Sequence, residues 1–225
     1  MFYLIPTKKG LGVELWGTYD DLKEFYNVIG KFWNDEEKHN IKGFENRDTL
    51  ISGFSYEVRH AFQGSRLTKT ESHFSFEQCN YLGVQISWVH FLFSLSALRL
   101  NMSYAESNKY DLSLFLQMEF WLENSMVSFD PVTSKKLIPF INGGIYAGNE
   151  CLYQFMRSIN AEYFSLGGGK SNFKKLPSLL DRAILFSEEY KSYMTHLTNE
   201  GERLKCDPDK LELSDDDIQY DEIEW

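Results

Sequence analysis

The sequence predicts an α+β fold in which a small N-terminal ββαββ sheet packs on a largely α-helical C-terminal half with a buried central helix. Three observations support this fold class. Short apolar segments with period-two alternation fall within residues 1–80, helical periodicity dominates after residue 100, and an almost unbroken apolar run lies between them. A small sheet with one covering helix needs a second layer, which the central helix can supply.

The apolar run from Val84 to Met102 is predicted to be the central helix. Its apolar side chains occur on every side of a helical wheel, so we expect burial on most sides. Gln85, His90 and Arg99 disfavour a membrane span. A pair of buried strands is the alternative reading, and the length of the run favours the helix.

The first forty residues predict a hairpin followed by a helix. Phe2–Pro6 and Leu11–Trp16 indicate two strands joined by a turn that ends in glycine. Thr18 and Asp21 have the spacing of a capping box, and an apolar stripe at helical spacing follows them to about His39.

Two further strands and three helices are predicted downstream. Alternation indicates strands at Leu50–Phe62 and Lys69–Phe76, and helical periodicity indicates helices at Tyr110–Met126, Asn149–Phe164 and Leu176–Leu197. We therefore expect a single compact domain over residues 1–199, with a sheet part at 1–80 and a helical part at 81–199. Residues 200–225 are expected to form an acidic tail.

Two N-terminal segments resemble a known protein family. The sequences PTKKGLGVELWGTYDDL and GFENRDTLISGFSYEVR are similar to an uncharacterised bacterial family that is known only as a domain of unknown function, over roughly the N-terminal half. The resemblance implies a bacterial source and a stable opening of hairpin and helix. It assigns no catalytic residue.

Charge is concentrated at one end of the sequence. Residues 200–225 contain 11 acidic and 3 basic residues, a charge of −8, which leaves 22 acidic and 20 basic residues before them. The absence of a basic stripe disfavours DNA binding, and three widely spaced cysteines predict no disulfide framework. No secretory signal is visible in MFYLIPTKKG, so a cytoplasmic location is expected.

Two motifs suggest nucleotide or RNA chemistry, and the residues around each motif disfavour it. Gly167–Ser171 ends like a phosphate-binding loop, but Phe164 occupies the position of the first glycine, which favours the glycine-rich end of a helix. Arg66 and His73 have a spacing similar to the Arg-x(4–6)-His pair of HEPN ribonucleases, in which histidine moves a proton and arginine holds phosphate. Here the pair is predicted to lie on a turn and a strand.

Metal and cofactor chemistry is not expected. Glu36–His39 and Glu57–His60 each contain Glu-x-x-His, the pairing of di-iron bundles, but the other ligands of such a site are missing from the pattern. His90 is expected to be a hydrogen-bonded core histidine, with a buried acid–base role as the alternative. No hydrolase, kinase or dinucleotide motif occurs, which favours binding over catalysis.

The acidic tail is the predicted interaction site. It interleaves acidic residues, which steer a partner, with large apolar residues, which dock it. The predicted partner-binding residues are Asp215, Asp216, Asp217, Ile218, Tyr220, Asp221, Glu222, Ile223 and Trp225. The alternative for the tail is disorder, which charge-rich segments favour.

The sequence therefore predicts a non-catalytic bacterial recognition or regulatory protein. We expect an immunity-type inhibitor or a defence-system accessory subunit that binds a basic protein partner through its acidic C-terminal region. A subunit of a larger assembly is not distinguished from this. The alternative is a HEPN-like ribonuclease toxin or effector that uses Arg66 and His73 in a homodimer, the one case in which RNA is a partner.

Overall fold

The computed structural model describes residues 2–73, 77–213, 218 and 223–225. The strands are β1 (Tyr3–Pro6), β2 (Gly12–Gly17), β3 (Leu67–His73) and β4 (Glu77–Ser87). The helices are α1 (Tyr19–Ile29), α2 (Phe44–Phe62), α3 (Trp88–Asn101), α4 (Lys109–Phe129), α5 (Pro131–Pro139), α6 (Leu152–Ser165), α7 (Lys170–Phe173), α8 (Leu176–Leu180) and α9 (Glu188–Leu204). The predicted α+β class is confirmed.

The four described strands form one antiparallel sheet in the order β1-β2-β4-β3. Leu15 of β2 pairs with Leu4 on one side and with Val84 on the other, and all three side chains are buried. Because residues that pair across neighbouring strands project from the same face of the sheet, this face lies in the core. The predicted N-terminal hairpin is confirmed.

The strand predicted at Leu50–Phe62 is wrong, because this segment lies within α2. Phe54 and Val58 are buried and Tyr56 between them is half exposed, a pattern that satisfies both a strand and a helix. Leu50, Ile51 and Ala61 complete a stripe at i, i+1, i+4, i+8 and i+11, which is helical spacing. Residues 69–73 of the predicted strand at Lys69–Phe76 lie in β3, which pairs with β4 instead, and residues 74–76 lie outside the described residues.

The central helix is confirmed as buried, but it begins at Trp88 and not at Val84. Val84–Ser87 is the end of β4, and the Ser87 hydroxyl accepts a hydrogen bond from the His90 backbone N–H at 3.0 Å, which caps α3. Eleven of the fourteen residues of α3 are buried. The apolar run therefore contains a strand, a cap and a helix.

Several other boundaries differ from the prediction. The capping box of Thr18 and Asp21 is present, but α1 ends at Ile29, ten residues before His39. The helix predicted at Leu176–Leu197 is broken between α8 and α9, where Phe186 has a φ of +70° and Ser187 caps α9. Helix α9 crosses the expected domain limit at residue 199, and β4 crosses the limit at residue 80.

A neutral polar junction at Gly10 joins the hairpin to the helical half. The Gly10 carbonyl accepts hydrogen bonds from Trp88 Nε1 at 2.9 Å and from the Tyr163 hydroxyl at 2.8 Å. Gly10 has a φ of +68°, and a Cβ at this position would lie 2.0 Å from the ring of Phe129. Only glycine fits this turn, because the backbone is left-handed and an aromatic ring covers it.

Candidate functional site

The acidic C-terminal region begins at a fixed point on the body. After α9 the chain turns back through Lys205, whose φ is +57°, and Gly201 lets the Cys206 carbonyl approach closely. Leu211 is 7 % exposed, and Gln154 Nε2 donates to the carbonyls of Asp209 at 2.6 Å and of Leu211 at 3.2 Å. The chain is therefore held against the start of α6 at residue 211.

Residues 223–225 are attached to the body at a second point. The Trp225 ring packs edge-on against Phe164 near the end of α6, with 5.6 Å between ring centres. Ile223 and Trp225 are partly buried against the core, and Glu224 forms an ion pair with Lys9 that lowers the pKa of this carboxyl. Trp225 therefore packs against α6 and lines a groove beside this helix.

Trp225 lines a small groove of about 180 Å³ between α2, β4, α3 and α6. The Ser87 hydroxyl donates to Asn160 Oδ1 at 2.6 Å across the floor of this groove, and Glu57 and His90 lie on its sides. Burial lowers the pKa of His90, and its ring packs edge-on against Phe54 at 6.3 Å. Burial therefore favours a neutral His90 imidazole in the groove.

The structure places three of the predicted partner-binding residues. Ile218, Ile223 and Trp225 are each partly buried. The other six lie outside the described residues: Asp215, Asp216, Asp217, Tyr220, Asp221 and Glu222. Residues 212–225 contain seven acidic residues and no lysine or arginine, and they start and end at the two attachment points.

Arg66 and His73 do not come together within one protomer. Arg66 makes a two-pronged ion pair with Glu57, with distances of 2.9 and 3.0 Å. His73 is the last residue of β3, and an extended strand places about 20 Å between Leu67 and His73. A ribonuclease site built from this pair therefore requires a second protomer, and it stays a prediction.

The other motifs have local structural partners. His60 Nδ1 lies 2.8 Å from the Ser65 hydroxyl, and His39 Nε2 lies 3.4 Å from Asp48. Within the described ranges, no three His, Cys, Asp or Glu side chains form a cluster that could hold a metal ion. Gly167, with a φ of +73°, follows the end of α6, as the helix-end interpretation of the glycine-rich segment predicted.

Sequence reasoning missed a buried arginine, Arg47. Arg47 lies on the buried side of α2, one helical turn from Phe44 and from Leu50. An arginine at helical spacing within an apolar stripe is a usable signal, provided that the segment is recognised as a helix. The wrong strand assignment of Leu50–Phe62 concealed it.

A family model described as Domain of unknown function (DUF6904) matches residues 2–225. The chain belongs to this family. The match covers the sheet, the helical half and the acidic region, and so extends well beyond the N-terminal half in which the resemblance was recognised. No curated protein and no solved structure matches the chain. Among the described helices of this DUF6904 member, none has the length and apolar character needed to cross a membrane.

Proposed function

We propose that this DUF6904 protein is a non-catalytic recognition or regulatory protein that binds a basic protein partner through its acidic C-terminal region. The proposal includes a bacterial source, a cytoplasmic location and a role as an immunity-type inhibitor or a defence-system accessory subunit. One observation carries it: the acidic residues of the segment 212–225 lie between two attachment points on the body, at Leu211 and at Trp225.

Attachment at both ends supports a binding role for physical reasons. A segment whose ends are already held loses less conformational entropy when a partner binds, so more of the contact energy contributes to affinity. The negative charge is also concentrated in the acidic C-terminal region, because residues 1–199 are nearly neutral, with 22 acidic and 20 basic residues. Such a local excess of negative charge accelerates association with a basic surface.

The test compares two variants that change the net charge equally. The first is Asp215→Asn/Asp216→Asn/Asp217→Asn, and the control is Glu106→Gln/Glu123→Gln/Glu189→Gln, at three exposed positions on the body. A partner is captured from extracts of the source organism, purified, and its association rate is measured at low and high salt. We expect the first variant to associate about tenfold more slowly at low salt and the control to match the parent.

The anchoring is tested separately with Trp225→Ala, which keeps every acidic residue. We expect faster dissociation with little change in association, because the steering charge is intact and the attachment is lost. Equal effects of the acidic variant and its control would refute local recognition by residues 212–225. An unchanged complex in both would remove these residues from the function altogether.

A further inference from the structure

A large cavity lies between α3 and the loop at residues 143–148. It has a volume of about 640 Å³ and is formed by α3, Tyr104, the loop at residues 143–148 and Ile184–Leu185. This volume is in the range of small-molecule binding sites. Most of its lining is apolar, with the Tyr104 and Tyr146 rings about 40 % exposed.

The one charged side chain among the lining residues is Arg99 of α3. Its Nη2 pairs with Glu119 and donates to the Ile141 carbonyl at 3.2 Å, so one end of the guanidinium is held in place. Glu119 does not line the cavity. An anionic group that enters the cavity therefore meets the Arg99 guanidinium, and none of the described lining residues is a carboxylate.

A second positive charge lies behind the cavity wall. Arg47 is fully buried, and it donates from Nε to Asn101 Oδ1 at 2.7 Å and from Nη1 to the Ala147 carbonyl at 3.1 Å. Its guanidinium carbon lies 5.9 Å from the centre of the Tyr104 ring. Because Tyr104 and Ala147 line the cavity, the charge of Arg47 lies directly behind two wall residues.

The charge of Arg47 is not neutralised by an ion pair. Within the described ranges no carboxylate forms a salt bridge with it, and its buried Nη2 has no hydrogen-bond partner. The nearby Asp48 carboxyl has its pKa raised by burial, which weakens it as a counter-ion. An uncompensated buried cation is costly, and it projects a positive potential into the adjacent low-dielectric space.

The rim of the cavity carries backbone strain. Phe186, next to the lining residue Leu185, has a φ of +70° and a side chain that is 73 % exposed. A bulky residue in the left-handed region is an outlier, and such outliers concentrate at ligand-binding sites. The rim thus holds an exposed aromatic ring in a conformation that local preference does not explain.

We propose that this cavity binds a small planar organic anion, in which an aromatic body lies against Tyr104 and Tyr146 and a carboxylate or phosphate group faces Arg99. The aromatic lining suits a flat apolar body. The positive potential from Arg99 and Arg47 suits a single anionic group, and the guanidinium fork suits its oxygen atoms. This site is independent of the acidic C-terminal region.

The experiment uses probe pairs that differ in charge and share a shape. Indole-3-acetate is compared with the neutral indole-3-acetamide, and adenosine 5′-monophosphate with adenosine, by calorimetry and ligand-observed NMR on the full chain. We expect at least one anion to bind about tenfold more tightly than its neutral counterpart. Preferential binding of indole-3-acetate would identify a carboxylate ligand, and preferential binding of adenosine 5′-monophosphate would identify a phosphate ligand.

Variants locate the binding in the cavity. Arg99→Gln should remove most of the preference for the anion and leave the neutral probe unchanged, whereas Arg203→Gln, on the exposed face of α9, should have no effect. Ile184→Trp, at a rim position that tolerates a larger side chain, should block the probes without altering the thermal midpoint. Circular dichroism confirms that each variant is folded.

Three results would overturn the proposal. The first is equal affinity for the anionic and neutral probes, and the second is unchanged anion binding in both Arg99→Gln and Ile184→Trp. The third is no binding of any probe at millimolar concentration. If Arg99→Gln fails to fold, Ile184→Trp and the comparison of probes still decide the outcome.

Discussion

Two of the buried polar junctions among the described residues hold their segments together in opposite ways. At Gly10, one neutral carbonyl accepts two hydrogen bonds, from Trp88 and Tyr163. At Arg47, a charged guanidinium donates to Asn101 Oδ1 and to the Ala147 carbonyl, and its buried Nη2 has no hydrogen-bond partner among the described residues. The first junction is satisfied and serves stability, whereas the second retains electrostatic potential that an adjacent cavity can use.

The largest effect is expected at the neutral junction. Gly10→Ala would place a Cβ in the ring of Phe129 on a left-handed backbone, so it should lower the free energy of unfolding by about 3 kcal/mol. The matched control is Gly143→Ala, where φ is +96° but no atom of the described residues lies within 4 Å of the added Cβ, and a loss of about 1 kcal/mol is expected. Urea unfolding measures both, and equal losses would show that the Phe129 contact does not contribute.

A smaller loss is expected at the charged junction. Arg47→Met should cost about 2 kcal/mol, because it removes an unpaired charge but leaves Asn101 Oδ1 and the Ala147 carbonyl without a donor. Arg47→Lys, which keeps the charge and loses the planar fork, is the matched variant.

The labelling rate of the buried Cys151 thiol, whose pKa burial raises to about 12, reports opening near this junction, with exposed Cys79 and Cys206 as internal references.

A higher free energy of unfolding for Arg47→Met than for the parent would contradict a stabilising role of the charged junction. It would mean that desolvation of the guanidinium outweighs its hydrogen bonds, and that Arg47 is retained for its potential and not for the fold. Faster labelling of Cys151 in Arg47→Met than in Arg47→Lys is the expected order. The reverse order would show that the charge itself loosens the loop.

The smallest effect is expected for Tyr163→Phe, about 1 kcal/mol at neutral pH, since Trp88 still donates to Gly10. Burial raises the pKa of Tyr163 above its ordinary value of 10. The unfolded chain therefore loses the phenol proton first, and the native state loses stability as the pH rises above about 10. The advantage of the parent over Tyr163→Phe in free energy of unfolding should shrink above that pH.

Patterns among neighbouring residues predicted the structural elements that local interactions determine. The Thr18–Asp21 capping box, the hairpin and the start of α4 follow from neighbouring residues, and all are present. The assignment of Leu50–Phe62 failed because Phe54, Tyr56 and Val58 alternate over a stretch too short to separate the two periods. The break before α9 depends on a left-handed Phe186, which no residue preference predicts.

The cavity could not be predicted from the sequence for a different reason. Arg47, Arg99, Tyr104 and Tyr146 come from four segments, and their positions relative to one another depend on how α2 and α3 pack. The acidic segment could be recognised, because charge clustering is visible in composition alone. Its attachment through Trp225 to Phe164 could not, since that contact depends on the tertiary arrangement of α6.

The hydrogen bonds at Gly10 can form only after later parts of the chain have been synthesised on the ribosome. Its carbonyl belongs to the first turn of the chain, yet its two donors lie 78 and 153 residues later. At translation rates of about 5–20 residues per second, Tyr163 is added roughly 8–30 seconds after Gly10. The Gly10 carbonyl lacks the Tyr163 donor during that interval. The first strands therefore remain accessible to chaperones for a defined time.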